Sequence, residues 1–129
     1  MPDQFHVMGL GHVGIHVRDP KRSKAFYRDM LGFSVVWEFS SPDDNQLLFM
    51  GNGSCVIEIM QTDDELSDGH LNHLSLLVGD VKRAKEELEQ KGVRFETDII
   101  FDGDLYPRGE LFAMFRGPDG ERLQIEQIL

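Results

Sequence analysis

The fold is decided by residues 12–33, "HVGIHVRDPKRSKAFYRDMLGF", because this stretch returns in altered form at residues 73–93 as "HLSLLVGDVKRAKEELEQKGV". His12 and His73 are 61 positions apart, and the aspartate and the Lys-Arg pair that follow each histidine keep that offset. A repeat of this size indicates two copies of one supersecondary unit packed together. Such packing can bring the two histidines to a shared pseudo-twofold axis, which is the first indication of a metal site.

Length and composition restrict both the size of the protein and its partners. A chain of 129 residues suffices for one core, so we expect a single domain over residues 1–129. The formal net charge of −10 argues against nucleic acid and membranes as partners, because both present negative charge. No signal peptide and no run near the ~20 apolar residues of a membrane span is found. The single cysteine, Cys55, is predicted to be a small core residue in a reducing compartment, and a cytoplasmic location is expected.

Each copy begins with a strand that leads into a helix. Apolar residues alternate with other residues in "HVGIHV" and again in "HLSLLV", the period-two pattern of a half-buried strand. Asp19 and Asp80 follow as candidate N-cap residues, since a carboxylate can accept the unpaired amides of a first helical turn. Gly32 and Gly92 are placed to end the two helices.

Three further strands complete each copy. In the first copy they are "FSVVWEFS", "QLLFM" and "SCVIEIMQ", separated by the turns "SPDDN" and "GNG". In the second copy they are "VRFETDIIF", "ELFAMFR" and "ERLQIEQI". The predicted class is therefore α+β, with two β-α-β-β-β modules. Module one covers about residues 9–61, an acidic linker covers residues 62–70, and module two covers about residues 71–128.

Glu58 is the most informative single residue. It stands inside "CVIEIM", where a carboxylate is costly unless a partner or a metal ion compensates it. A partly exposed strand face or an ion pair with an arginine is the alternative interpretation. On the strand that ends the second copy, Arg122, Gln124 and Glu126 share one face. Polar side chains thus recur on one face of each last strand, and the opening histidines belong to that face if the helices cover the apolar side.

The histidines have to be weighed against a purely structural role. His12 and His16 lie ~13 Å apart on a strand, too far to share one ion. A lone strand histidine is more often a hydrogen-bonded structural residue than a ligand. Two histidines in symmetric positions beside a buried glutamate favour a metal site instead. The chain has no CxxC motif, which excludes the cysteine-rich structural zinc classes.

Taken together, these residues resemble the vicinal oxygen chelate superfamily, which includes glyoxalase I, methylmalonyl-CoA epimerase, fosfomycin- and bleomycin-resistance proteins and extradiol dioxygenases. The resemblance extends over residues 9–128 and rests on the segments "GLGHVGIHVRD", "AFYRDMLGF", "CVIEIM", "LNHLSLLVGDV" and "FRGPDGERLQIEQ". It implies paired modules whose curved mixed sheets surround a metal ion. It also implies a small-molecule substrate and, for a short chain, a homodimer with sites at the interface.

The resemblance implies four metal ligands. Three of them fall on His12, Glu58 and His73. The fourth, normally a glutamate, comes four residues after the glycine of the "PDG" turn and falls on Gln124. A glutamine oxygen can bind a divalent ion but cannot act as a base, so Glu58 is the candidate catalytic base. Glu126, two residues further on the same face, would replace Gln124 only if the strand shifted register.

Other positions depart from the glyoxalase I pattern. The family arginine that grips glutathione is replaced by His16, and an asparagine and a second arginine of the pattern are replaced by Thr62 and Gly69. Glutathione is therefore not expected as the substrate. Arg108, in the loop before "ELFAMF", is placed by alignment to hold an anionic substrate, and His16 is a second substrate-binding candidate.

The sequence thus predicts a metal-dependent lyase or isomerase of the glyoxalase type. Two histidines, a carboxylate and an amide oxygen suit one divalent ion per site, Ni, Co, Zn, Mn or Fe. The ion would hold vicinal oxygens of a small substrate and stabilise an enediolate, while Glu58 would move the proton. Two alternatives stay open: an antibiotic-binding resistance protein of the bleomycin or fosfomycin type, and an Fe(II) ring-cleaving dioxygenase.

Overall fold

The computed structural model describes residues 10–40, 46–69 and 71–129. The predicted turn over residues 41–45 and the last residue of the predicted linker lie outside the described residues. The chain divides into two compact units, Met1–Asp64 and Glu65–Leu129, and the division falls inside the predicted linker. Neither described helix is long and apolar enough to span a membrane.

Both units follow the order strand, helix and three strands that the repeat predicts. The first unit contains β1 (Val13–Val17), α1 (Pro20–Asp29), β2 (Ser34–Ser40), β3 (Gln46–Gly51) and β4 (Val56–Gln61). The second unit contains β5 (Leu74–Leu77), α2 (Val81–Gln90), β6 (Ile100–Asp102), β7 (Glu110–Arg116) and β8 (Arg122–Ile128). Each sheet is mixed, and the strand orders are β1-β4-β3-β2 and β5-β8-β7-β6. The parallel pairs are β1 with β4 and β5 with β8, the strands that open and close each unit along the chain. The predicted α+β class with two mixed sheets is confirmed.

The predicted signals begin and end both helices. A side-chain oxygen of Asp19 accepts hydrogen bonds from the amides two and three residues later, at 3.0 and 3.4 Å, and Pro20 occupies the first helical turn. Asp80 accepts the amide of the third residue after it at 3.1 Å. Gly32 and Gly92 follow the helices with φ of 72° and 96°, a left-handed conformation that costs glycine little.

Each helix covers the apolar face of its own sheet. In the first unit α1 contacts β3 and β4, and the buried apolar side chains are Val17, Tyr27, Phe33, Leu48, Met50, Ile57 and Ile59. In the second unit α2 contacts β7 and β8, and the buried side chains include Val81, Leu88, Ala113, Phe115, Leu123 and Ile125. Because side chains alternate across a strand, Glu58 and Gln124 lie on the faces away from the helices.

The first strand after α2 is much shorter than the pattern "VRFETDIIF" predicts. Regular pairing covers only β6, and Phe95 makes an isolated bridge to Phe115. The reason is local, because the hydroxyl of Thr97 accepts the amide of Met114 at 3.0 Å. A side chain thereby replaces the backbone partner that a continuous strand would have supplied.

The expectation that Cys55 is a core residue is wrong. Cys55 is exposed at the end of the turn that joins β3 to β4. The side-chain oxygen of Asn52 accepts the amides of Ser54 and Cys55, each at 3.0 Å. This asparagine turn directs the chain outward before the buried part of β4 begins.

The second unit contains a pair of carboxyl groups in contact, Glu110 on β7 and Glu126 on β8. Glu110 is only 3% exposed, and its Oε2 is buried without a hydrogen-bond partner among the described residues. Two carboxyl groups can share a hydrogen bond only when one of them is protonated. The hydrogen bond with Glu126 is the main cause, and burial the second, of the rise in the pKa of Glu110 from 4.5 to about 7. The hydroxyl of Tyr106 donates to Glu126 Oε1 at 3.4 Å, and the nearby carboxylate raises the pKa of this hydroxyl.

Replacing Glu110 with Gln is expected to flatten the pH dependence of stability. Because the pKa of Glu110 is higher in the folded than in the unfolded protein, protonation of Glu110 stabilises the folded state. This contribution is fully present below pH 4.5 and is lost as the pH rises through about 7. Glu110→Gln keeps a donor toward Glu126 without the charge. It should therefore lose less stability than the parent between about pH 5 and about pH 8, by on the order of 1–2 kcal/mol after allowing for solvent screening. Urea unfolding at the two pH values measures the difference.

The matched control is Glu86→Gln, because Glu86 is exposed on α2. This variant should lose as much stability between the two pH values as the parent does. If Glu110→Gln behaves like the control, Glu110 does not hold the extra proton.

Candidate metal centre

In the first unit, His12 and Glu58 approach each other on the face of the sheet away from α1. Nε2 of His12 lies 3.9 Å from Oε1 of Glu58, and the two side chains are 47% and 18% exposed. The register brings them together, because Gly14 is the direct partner of Glu58 across the parallel β1–β4 pair and His12 precedes Gly14 by two residues. Two residues along a strand return to the same face, so the histidine reaches the carboxylate diagonally.

Gly14 is the β1 residue that lies directly beside the carboxylate of Glu58. A Cβ atom at this position would lie 3.5 Å from Glu58 Oε1 and 2.9 Å from the terminal methyl of Met60. An alanine here would therefore displace the end of the Met60 side chain and contact the carboxylate at an ordinary van der Waals distance. The glycine of "HVGIHV" is thus part of the site and not only part of a strand.

Aromatic rings line the side of Glu58 that faces β3. Phe49 is the direct partner of Glu58 across the antiparallel β3–β4 pair. Its ring meets the His12 ring edge to face at a centroid distance of 5.3 Å, and the Trp37 ring at 5.8 Å. His12 is therefore oriented by both a carboxylate and an aromatic ring, and Glu58 borders an apolar surface.

The second unit repeats the register with different residues. Ser75 is the direct partner of Gln124 across the parallel β5–β8 pair, as Gly14 is of Glu58, and His73 precedes Ser75 by two residues. Gln124 is 7% exposed, and its Nε2 donates to the Ser75 hydroxyl at 3.2 Å. This bond occupies the amide nitrogen and leaves Oε1 as the atom suited to a cation.

Glu126 has other partners. It lies on the same face as Gln124, opposite Leu77, and it is hydrogen-bonded to both Glu110 and Tyr106. The register of β8 is continuous from Arg116↔Arg122 to Glu110↔Ile128, without a shift that would exchange the two candidates.

The remaining predicted residues are exposed. His16 is the β1 partner of Met60, two positions further from the His12–Glu58 pair. Arg108 is exposed in the loop between β6 and β7, which also contains Tyr106 with a left-handed φ of 61°. Such a conformation is uncommon for a residue with a side chain, and it is held here beside Glu126. No sequence pattern predicts this conformation, because "DLYPRG" is typical of an ordinary loop.

The donor types fit a divalent metal ion, and each unit holds half of them. Two ligands at about 2.0–2.2 Å from one ion lie roughly 3–3.5 Å apart, so the His12–Glu58 pair needs to close only slightly. Nitrogen from imidazole with oxygen from carboxylate and amide is a set that borderline divalent ions accept. Across residues 10–40, 46–69 and 71–129, no three His, Cys, Asp or Glu side chains gather into a metal-binding group. Neither pair is a complete site by itself.

The chain is similar in sequence and structure to known proteins over almost its whole length. YwkD, an uncharacterized protein of Bacillus subtilis (strain 168), is 35% identical over 126 residues, 90% of this chain and 94% of YwkD. A glyoxalase family protein from Enterococcus faecalis has a solved structure with a TM-score of 0.79 and 25% identity, covering 92% of this chain and 97% of that chain. The trypanothione-dependent glyoxalase I of Leishmania major has a TM-score of 0.73 and 26% identity, covering 90% and 84%.

Two further matches involve other activities. The fosfomycin resistance protein FosX of Listeria monocytogenes, solved with Mn(II) and sulfate, has a TM-score of 0.75 at 16% identity, covering 96% of this chain and 95% of that chain, which shows a shared fold. A catechol-2,3-dioxygenase of Bacillus subtilis (strain 168) is 48% identical over 31 residues, which are 24% of this chain and 11% of the dioxygenase.

The family model for the Glyoxalase/Bleomycin resistance protein/Dioxygenase superfamily matches residues 9–125. This range includes His12, His73, Glu58 and Gln124, together with the first β-α-β-β-β unit and all of the second except the end of β8. The chain belongs to the Glyoxalase/Bleomycin resistance protein/Dioxygenase superfamily.

Proposed function

We propose that the protein is a metal-dependent lyase or isomerase of the glyoxalase type that acts on a small substrate with vicinal oxygens. The observation that carries the proposal is the His12–Glu58 pair at 3.9 Å, with the same register repeated at Gln124. His12, Glu58, His73 and Gln124 are the proposed ligands. Members of the superfamily commonly bind a divalent metal, and FosX was solved with Mn(II).

Gln124 is preferred to Glu126 as the fourth ligand for two reasons. Gln124 occupies the register position that Glu58 occupies in the first unit. Glu126 is already hydrogen-bonded to Glu110 and Tyr106, and a bound ion would have to break that arrangement. The neutral Gln124 makes the site less negative than the usual four-ligand set of this family.

Glu58 is the proposed catalytic base. A bound divalent ion supplies Lewis-acid stabilisation of negative charge that develops on a substrate oxygen. Glu58 would take a proton from the carbon beside the substrate carbonyl and return it to the neighbouring carbon. Phe49 is the direct cross-strand partner of Glu58, and only 18% of the Glu58 side chain is exposed, which favours proton transfer over exchange with solvent.

The surroundings of the pair indicate a substrate without a large anionic carrier. Phe49 is the cross-strand partner of Glu58 and Trp37 packs against Phe49, so an apolar substituent is expected on the side of β3. His16, Thr62 and Gly69 stand where glyoxalase I has its glutathione-holding residues, and glutathione is not proposed. The exposed Arg108 is the proposed contact for a small anionic group, with His16 as a second one. The homodimer and the cytoplasmic location stay predictions.

A ring-cleaving dioxygenase is the second candidate. The local similarity to a catechol-2,3-dioxygenase favours it. Such a site uses two histidines and one carboxylate around Fe(II), and His12, Glu58 and His73 would supply these types. Oxygen consumption with catechol and Fe(II) separates the two candidates, because the isomerase consumes no oxygen. A protein that binds an antibiotic without metal is distinguished by the titration that follows.

Replacing either predicted histidine ligand with alanine should abolish stoichiometric divalent metal binding while the protein stays folded. Both histidines are exposed, so their loss costs little packing. Calorimetric titration with Ni, Co, Zn and Mn salts measures the stoichiometry, and circular dichroism checks the fold. His16→Ala, four residues after His12, is the matched control and should bind metal like the parent. If His12→Ala and His73→Ala also titrate like the parent, the metal site is elsewhere.

Replacing Glu58 with Gln should separate metal binding from proton transfer. The amide keeps an oxygen donor, so some metal is retained, whereas the loss of a general base costs ~100- to 10,000-fold in rate. Deuterium incorporation from heavy water into a panel of 2-oxoaldehydes and α-hydroxyketones measures proton transfer directly. An unchanged exchange rate in metal-loaded Glu58→Gln would exclude Glu58 as the base.

Two variants of β8 decide the fourth ligand. Gln124→Glu should bind metal at least as tightly as the parent, because an anionic oxygen replaces a neutral one. Glu126→Gln should leave metal affinity nearly unchanged, since Glu126 is occupied by other partners. Calorimetric titration of both variants is the measurement. A collapse of binding in Glu126→Gln, with no change in Gln124→Glu, would assign the fourth ligand to Glu126.

A further inference from the structure

We infer that Asn72 and Arg122 are positioning residues that hold His73 with its proton on Nδ1, so that Nε2 presents the lone pair. The inference rests on the proposed function, in which His73 is a metal ligand. Nε2 is then the atom of His73 that would bind the ion, and Asn72 and Arg122 are the residues that select this atom.

The hydrogen-bonding capacities of three side chains fix the tautomer. Oδ1 of Asn72 lies 2.8 Å from Nδ1 of His73, and Nη1 of Arg122 lies 3.4 Å from the same Oδ1. A guanidinium group can only donate, so the Asn72 atom that it faces is the amide oxygen. An amide oxygen can only accept, and Nδ1 of His73 therefore carries the proton. In a neutral imidazole the lone pair is then on Nε2.

The strands place these three residues together. Asn72 and His73 directly precede β5, and Arg122 is the first residue of β8, which pairs in parallel with β5. Arg122 also shares a face of β8 with Gln124, the second proposed ligand of this unit. The support for His73 thus comes from the strand that carries the other ligand.

A second arginine anchors the chain just before this segment. Arg116 is the antiparallel partner of Arg122, at the end of β7, and it donates to the carboxylate of Asp68. Arg116 also donates to Glu96 and to the carbonyl of Gly120. Asp68 and Asn72, which both precede His73, are therefore each bound by an arginine at the paired ends of β7 and β8.

The repeat shows that the fold itself does not require Asn72. Its counterpart 61 positions earlier is Gly11, in front of His12, and the space around that glycine is open. His12 is oriented differently, by Glu58 and the Phe49 ring. The asparagine therefore serves its neighbouring histidine and not a turn common to both units. Orientation of a ligand histidine through its other ring nitrogen is a general feature of metal sites, and its loss weakens metal affinity 10–100-fold.

The test combines a direct view of the tautomer with metal affinity. Two-bond ¹H–¹⁵N correlation spectra of the metal-free protein, at alkaline pH where the ring is neutral, report which nitrogen of His73 carries the proton. The parent is expected to show the Nδ1–H form. Asn72→Ala should lose its preference for that form and bind Zn or Ni about 10- to 100-fold more weakly. Asn72→Asp keeps an acceptor and should retain both the tautomer and the binding.

Each half of the inference can be overturned separately. If the parent carries the proton on Nε2, or if Asn72→Ala keeps the tautomer and the affinity of the parent, Asn72 does not position His73. If Arg122→Met leaves the tautomer of the parent unchanged, Arg122 is not part of the arrangement. If His73→Ala binds metal like the parent, the proposed ligand set fails, whatever the tautomer of His73 is.

Discussion

Parallel pairing between the first and last strands of each unit is the constraint on which the rest of the structure depends. Gly14 pairs with Glu58 in the first unit, and Ser75 pairs with Gln124 in the second. The histidine two residues before each of these partners therefore lies diagonal to the side chain that carries the oxygen donor. The helices have to cover the apolar faces, so these donors remain on the opposite faces. A slip of one residue in either pair would turn every side chain over, bury the polar groups beneath a helix and expose the core.

The two units hold acidic side chains in contrasting surroundings. Glu58 lies beside a histidine on a partly open strand face, which suits a ligand or a base. Glu110 is almost completely buried and shares a proton with Glu126, and this raises its pKa to about 7. The same pairing is one reason why Gln124, and not Glu126, is proposed as the fourth ligand. Glu126 therefore links the proton on Glu110 to the proposal of Gln124 as the fourth ligand.

The duplication repeats geometry more faithfully than it repeats chemistry. Glycine and serine occupy equivalent positions beside Glu58 and Gln124, one leaving room and the other binding the amide nitrogen. The histidines are likewise equivalent in register, yet an aromatic ring and a carboxylate orient one while Asn72 orients the other. A family that shares this frame can host different reactions, since each half-site changes without disturbing the core.

The sequence by itself determined the two-module architecture, the helix caps at Asp19 and Asp80, the terminating glycines and the polar strand face in each unit, with Glu58 in the first and Gln124 in the second. These are local or periodic properties, set by neighbours a few residues apart, and so they can be read along the chain. Only the tertiary structure decided the partners that are distant in sequence. Thr97 replaces a strand partner of Met114, Glu126 joins Glu110, and Arg122 reaches Asn72 fifty positions away. Such contacts depend on which strand ends meet in the sheet, a relation that no local pattern contains.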